Sequence, residues 1–167
     1  MNVSDELFAA ARERLAGVPT EPLGELVAPR RVLGIARAPR IAPRGAAWHL
    51  GALLLTDRAV LATGEIVRSR REAPRGYTAE SQRRRSELAA AAFRGGFAEG
   101  TPVHIGWHEL DPDDASIPAA GDAASALLAM VDGVASIRWS PAGGYVPLAA
   151  YVEERVELLV HPPQGAT

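Results

Sequence analysis

Three of the four histidines, His49, His104 and His108, fall where the chain alternates like a β-strand, and imidazole is the side chain best suited to proton transfer or metal ligation near neutral pH. On a helix, the His104-x3-His108 spacing would set two zinc ligands on one face. Here Val103, Ile105 and Trp107 alternate with His104, Gly106 and His108. That is strand period, and at about 3.3 Å per residue the two imidazoles stand roughly 13 Å apart. One ion cannot bridge such a span, so no metal and no cofactor are expected, and histidines on the wet face of a sheet are the ordinary reading. If the sheet gathers His49, His104 and His108, they form an alternative polar site that could serve an amide hydrolase.

The stronger chemical signal is guanidinium. All 18 basic residues are arginine, and lysine and cysteine are both absent. Codon usage rich in G and C accounts for the bias, but the exclusions hold whatever its origin. Without lysine there is no Schiff base, no pyridoxal linkage, no Ser-x-x-Lys site and no P-loop lysine. Without cysteine there is no thiol nucleophile, disulfide or cysteine zinc site. From Leu26 to Arg94 fourteen arginines stand against five acids, although the whole chain carries a net charge of only −2. Arg68, Arg71, Arg75 and Arg84 leave the strands and enter a long helix. They are the expected contacts for a partner protein or a small anionic ligand, because guanidinium grips oxyanions through two parallel hydrogen bonds. The Arg83-Arg84-Arg85 triplet wraps around its helix, successive residues being about 100° apart, and reads as a solvated face. No aromatic residue interleaves the arginines as stacking on single-stranded nucleic acid requires, which disfavours nucleic acid. Compensation by the acidic flanks, within the chain or across a homo-oligomer, is the expectation instead.

Other motifs stop short of a site. Asp111 and Asp113 hold the first and third positions of a calcium loop, but Ala115, Ser116 and Asp122 stand where a ligand, the turn glycine and the bidentate glutamate belong. There is no Gly-x-Ser-x-Gly elbow and no Gly-x-Gly-x-x-Gly turn. Glu153 and Glu154 are adjacent on a helix and diverge. Trp48, Trp107 and Trp139 lie on predicted strands, where large rings anchor a core. No catalytic residue can be named, and the expected role is non-catalytic binding, with an oligomerising structural component as a further alternative.

The elements that must position these groups follow from period and punctuation. Leu7, Phe8, Ala11 and Leu15 recur at helical spacing over about 4–16, and the prolines and glycines of 17–29 read as a connector. Strands are predicted over 31–38 and 47–56, the second opening a meander through 59–62 and 65–70. A long helix is predicted over about 78–94, stopped by Gly95-Gly96. A strand covers 102–110, and Asp132-Gly133 between apolar runs marks a hairpin. A C-terminal helix occupies about 147–160, with proline in its first turn, and 162–167 is a tail. The fold class is therefore α+β: an antiparallel curved sheet or open barrel with flanking helices.

At 167 residues, with 47% apolar and 23% charged side chains, the chain suits one domain over 1–167 with a core of its own. The first twenty residues carry five charges and read as no secretory signal, and the longest apolar run, over 45–56, is too short to span a membrane. A cytoplasmic location is expected.

Two resemblances can be added. The stretch WHLGALLLTDRAVLATGEIVR, from Trp48 to Arg68, resembles the strand-turn-strand of bacterial PH-like and GRAM-type domains, which implies an open barrel closed by a terminal helix; the long helix over 78–94 departs from that pattern. Over most of the chain, APRRVLGIARAPR, AESQRRRSELAAAAFRGGF, VHIGWHELDP and VDGVASIRWS resemble a small family of uncharacterised actinobacterial proteins, some labelled glutaminase. The label implies amide hydrolysis, yet this sequence has neither the lysine of serine-dependent glutaminases nor the cysteine of glutamine amidotransferases. An aspartate- or threonine-based amidase is the form left open.

Overall fold

The computed structural model describes residues 3–28, 31–32, 34–71, 79–114, 117–119, 126–140 and 142–163. In chain order the elements begin with α1 (Val3–Arg14), β1 (Glu21–Val27), β2 (Arg31–Val32), β3 (Ile35–Ala36) and β4 (Arg40–Leu50). Next come β5 (Leu53–Leu55), β6 (Val60–Ala62), β7 (Glu65–Arg68), α2 (Glu80–Arg94), β8 (Pro102–Ile105) and β9 (His108–Leu110). The chain closes with β10 (Leu128–Val131), β11 (Val134–Arg138), β12 (Tyr145–Pro147) and α3 (Leu148–Val160). The fold is α+β. Its principal sheet has the order β7-β8-β1-β4-β5-β6-β9 and is left open, and it is mixed, because β1 runs parallel to β8 and antiparallel to β4.

The chain divides into two compact units, the first formed by Met1–Thr20, Trp48–Ala62 and His108–Thr167, the second by Glu21–Ala47 and Thr63–Trp107. In the first, α1 and α3 pack with the strands around Phe8, Leu15, Leu50, Leu53, Leu55, Ile137 and Val152. Arg14 reaches from α1 to Glu153 and Glu157 on α3, at 2.6 and 2.7 Å, exposed pairs that add about 0.2–1 kcal/mol each at most. Trp48 is half-buried and donates its indole N–H to the Val18 carbonyl at 2.9 Å. Trp139 departs from the expected core role: it lies just past the end of β11 and is 54% exposed.

The spacing predicts one strand over 47–56, but the structure folds it into a hairpin, Leu50 opposite Leu53. Gly51, with φ +68°, takes the turn. The hairpin is held from α3 by Tyr151, whose hydroxyl accepts from the Ala52 N–H at 2.7 Å and donates to the Leu50 carbonyl at 3.0 Å. Removing that hydroxyl withdraws a partner from two backbone groups, so Tyr151→Phe is expected to cost about 1–3 kcal/mol. A lower urea midpoint at unchanged slope would show it; an unmoved midpoint would mean that the hydroxyl adds nothing.

In the second unit the predicted connector contains β1. Pro22 is tolerated near the strand's start, and Gly24 follows a register shift; a Cβ there would run into Ile41 and Val103. Over 31–38 the expected strand is a short pair, β2 with β3, around Gly34. The meander is also revised: β5 and β6 pair, but β7 pairs with β8, as long-range register overrides sequence adjacency. The strand predicted over 102–110 is broken at Gly106, φ +67°, into β8 and β9. Helix α2 lays Leu88, Ala91 and Ala92 against Ile41, Val67, Val103 and Ile105.

Candidate functional site

Among the described residues β7 is the terminal strand of its sheet, and beside it lies a cleft of about 390 Å³ lined by Glu65, Ile66, Val67, Arg68, Arg70 and Arg85. The alternation that buries Val67 and Ser69 turns Ile66, Arg68 and Arg70 to the opposite face. Arg85 arrives from α2. It stands one turn before Ala89, whose carbonyl accepts the Arg70 N–H at 3.2 Å, so helix and strand are tied together beside the cleft. Below it, buried Ser69 donates its hydroxyl to the Phe97 carbonyl at 3.0 Å.

The charges around the cleft are unequally satisfied. Glu65 is engaged by Arg84 of α2 at 2.9 Å. Arg68 rests one guanidinium nitrogen on the Gly100 carbonyl at 2.8 Å and keeps its other donors. The guanidinium groups of Arg70 and Arg85 are exposed and meet no carboxylate among the described residues. An oxyanion entering here would meet forked donors from two elements of secondary structure.

Of the four arginines expected from sequence, Arg68 lines this cleft. Arg84 is committed to Glu65 and borders a neighbouring cleft with Leu26, Leu88 and Trp107. Arg71 lies over the Phe93 ring, 5.5 Å from its centroid. Arg75 lies outside the described residues. Sequence reasoning missed Arg70 and Arg85. The signal for Arg70 was its two-residue offset from Arg68 at the end of a strand; Arg85 had none, since its place at the cleft depends on how α2 packs against β7. The arginine triplet does wrap: Arg83 turns to Glu80 at 3.8 Å, Arg84 to Glu65 and Arg85 to the cleft.

His49, His104 and His108 stand on three different strands, β4, β8 and β9. The register of the first unit runs His49, Leu54, Leu61, Glu109 across β4, β5, β6 and β9, which sets His49 and His108 three strand spacings, about 14 Å, apart in neighbouring rows. His49 Nε2 lies 3.0 Å from the Gly51 carbonyl, and His108 is exposed at the start of β9. His104 corrects the wet-face reading. It is 0% exposed on β8, an interior strand of the sheet, where Val103 and Ile105 are buried too. Its Nε2 pairs with Glu21 Oε2 at 2.5 Å, β1 being bridged to β8 at Leu23 and His104. The buried hydroxyls of Ser69 and Ser136 are each spent on a backbone carbonyl. In the acidic run that only superficially opens a calcium loop, Asp111 accepts the Asp113 N–H at 3.0 Å, an ordinary Asx turn. No helix among the described residues is long and apolar enough to cross a membrane. Comparison of the chain with family models, curated proteins and solved structures found no match.

Proposed function

We propose that this chain is a non-catalytic cytoplasmic binding module whose cleft beside β7 takes an anionic group of a partner. One observation carries the reading: Arg70 and Arg85 share the cleft with Arg68 and have no carboxylate partner among the described residues, while the nearby acid, Glu65, is held by Arg84. Guanidinium groups so placed bind a planar or tetrahedral oxyanion through paired donors. Titration of the full chain with inorganic pyrophosphate, followed by amide chemical shifts, tests it. The charge reversals Arg70→Glu and Arg85→Glu, each on an exposed side chain, are expected to weaken binding at least about tenfold and to leave the thermal midpoint in place. Added salt is expected to weaken it as well. Pyrophosphate binding that ignores both substitutions would remove the cleft from the function.

An amide hydrolase is the second reading. The observation in its favour is the His104–Glu21 pair, a carboxylate orienting an imidazole as in a base-and-orienter arrangement. Full burial of that imidazole weighs against access by substrate. Ammonia release from glutamine that is abolished by His104→Gln would establish it in place of the first.

A further inference from the structure

We infer that the partner at this cleft is an extended acidic peptide that joins the sheet as a strand beside β7; the inference rests on the anion-binding reading and specifies its ligand class. The hydrogen-bond register of β7 carries it. Ser69, next after the strand, donates its N–H to the Thr101 carbonyl at 2.8 Å and accepts the Gly100 N–H at 2.7 Å, so both of its backbone groups point toward the β8 side. In an antiparallel pair the direction alternates residue by residue. Glu65 and Val67, opposite Ile105 and Val103, therefore also turn to β8, and Ile66 and Arg68 turn their N–H and C=O groups outward. The next outward donor, the Arg70 N–H, is taken by the Ala89 carbonyl. That contact confirms the alternation and closes the far end of the open edge. Two residues are left, each offering one donor and one acceptor to an incoming chain.

The side chains along this edge indicate what chain it would be. Ile66 is 49% exposed, and Arg68 and Arg70 lie on its face, with Arg85 at the same cleft from the helix. A peptide laid along β7 places alternate side chains against this row. Ile66, Arg68 and Arg70 share one face, so one face of the peptide meets them all, and carboxylates there suit the three arginines. A second copy of the chain docking through the same edge would bring its own Arg68 and Arg70 against this set, a like-charge pairing that opposes self-assembly. The charge that repels a copy attracts an acidic strand.

The test uses the full chain and a fluorescent peptide of about eight residues alternating glutamate and valine, long enough for one ordinary strand. A control peptide of equal charge is N-methylated at alternate amides. The expected result is binding by the first peptide, weakened at least tenfold by N-methylation, with slower hydrogen exchange at Ile66 and Arg68. Ile66→Pro removes one outward donor at an edge position where proline is tolerated; it should reduce peptide binding at least tenfold. Equal affinity for the methylated peptide would overturn strand addition even if Ile66→Pro failed to fold. Pyrophosphate binding without peptide binding would also overturn it while sparing the anion site. Loss of both would remove the site and the inference together.

Discussion

Gly95→Ala is expected to destabilise the protein by about 3 kcal/mol or more, the upper range of overpacking, although its backbone is an ordinary right-handed one. Gly95 follows the last residue of α2, and its N–H bonds to the Ala91 and Ala92 carbonyls, both at 3.0 Å. A Cβ at this position would press into the peptide group of Ile41, reaching 2.8 Å from its carbonyl carbon and closer still to its oxygen. Backbone cannot rotate away as a side chain can. The helix end would have to lift from β4, opening the cluster of Ile41, Leu88, Ala92 and Phe97. Gly96 is the instructive comparison, because it has φ +100° and open space where a Cβ would stand. Gly96→Ala meets only the left-handed strain of about 1–2 kcal/mol. Thermal unfolding should therefore rank Gly95→Ala below Gly96→Ala by several degrees, at about 2–4 °C per kcal/mol for a chain of this size. The reverse order would show that the Ile41 peptide yields.

The second large effect is expected at His104. Its ring is fully buried, and its Nε2 holds Glu21. His104→Ala removes the ring's packing and the carboxylate's partner together, and a loss of about 3 kcal/mol follows from the combined cavity and hydrogen-bond costs. Glu21 is partly exposed, with 39% of its side chain accessible, so water can replace some of what it loses, and Glu21→Ala should cost less, about 1 kcal/mol. The double substitution should be less damaging than the two losses added, by about 1 kcal/mol of coupling. Additive losses in urea unfolding would mean that the ring matters only as packing.

Local chemistry was legible in the sequence, and long-range pairing was not. Asp132-Gly133 announced its hairpin because both turn residues must adopt positive φ, and they do, at 50° and 78°. The long helix was readable from its uninterrupted run and from the glycines that end it. Gly51 carried the same kind of signal as Gly133, but the continuous apolar run on either side hid it, since buried strands lose their alternation. Strand β1 was concealed by Pro22 and Gly24, residues that ordinarily break strands; here Gly24 is required by close packing on Ile41 and Val103. The burial of His104 could not be seen, because it depends on β1 and β7 arriving from distant segments to flank β8. Which guanidinium groups remain uncommitted was decided by Glu65 and Phe93, neighbours that no spacing rule supplies.

The segments that build the two units are interleaved along the chain, and this orders events during synthesis on the ribosome. The unit made from Glu21–Ala47 and Thr63–Trp107 has all of its residues once Trp107 has emerged. The other begins with α1 and ends with α3. At about 5–20 residues per second, several seconds pass between the last residue of the former and the last of the latter. Throughout that interval Phe8, Ala11 and Leu15 wait for Val152 and Val156, which makes the nascent α1 the segment that would benefit most from a chaperone's temporary cover.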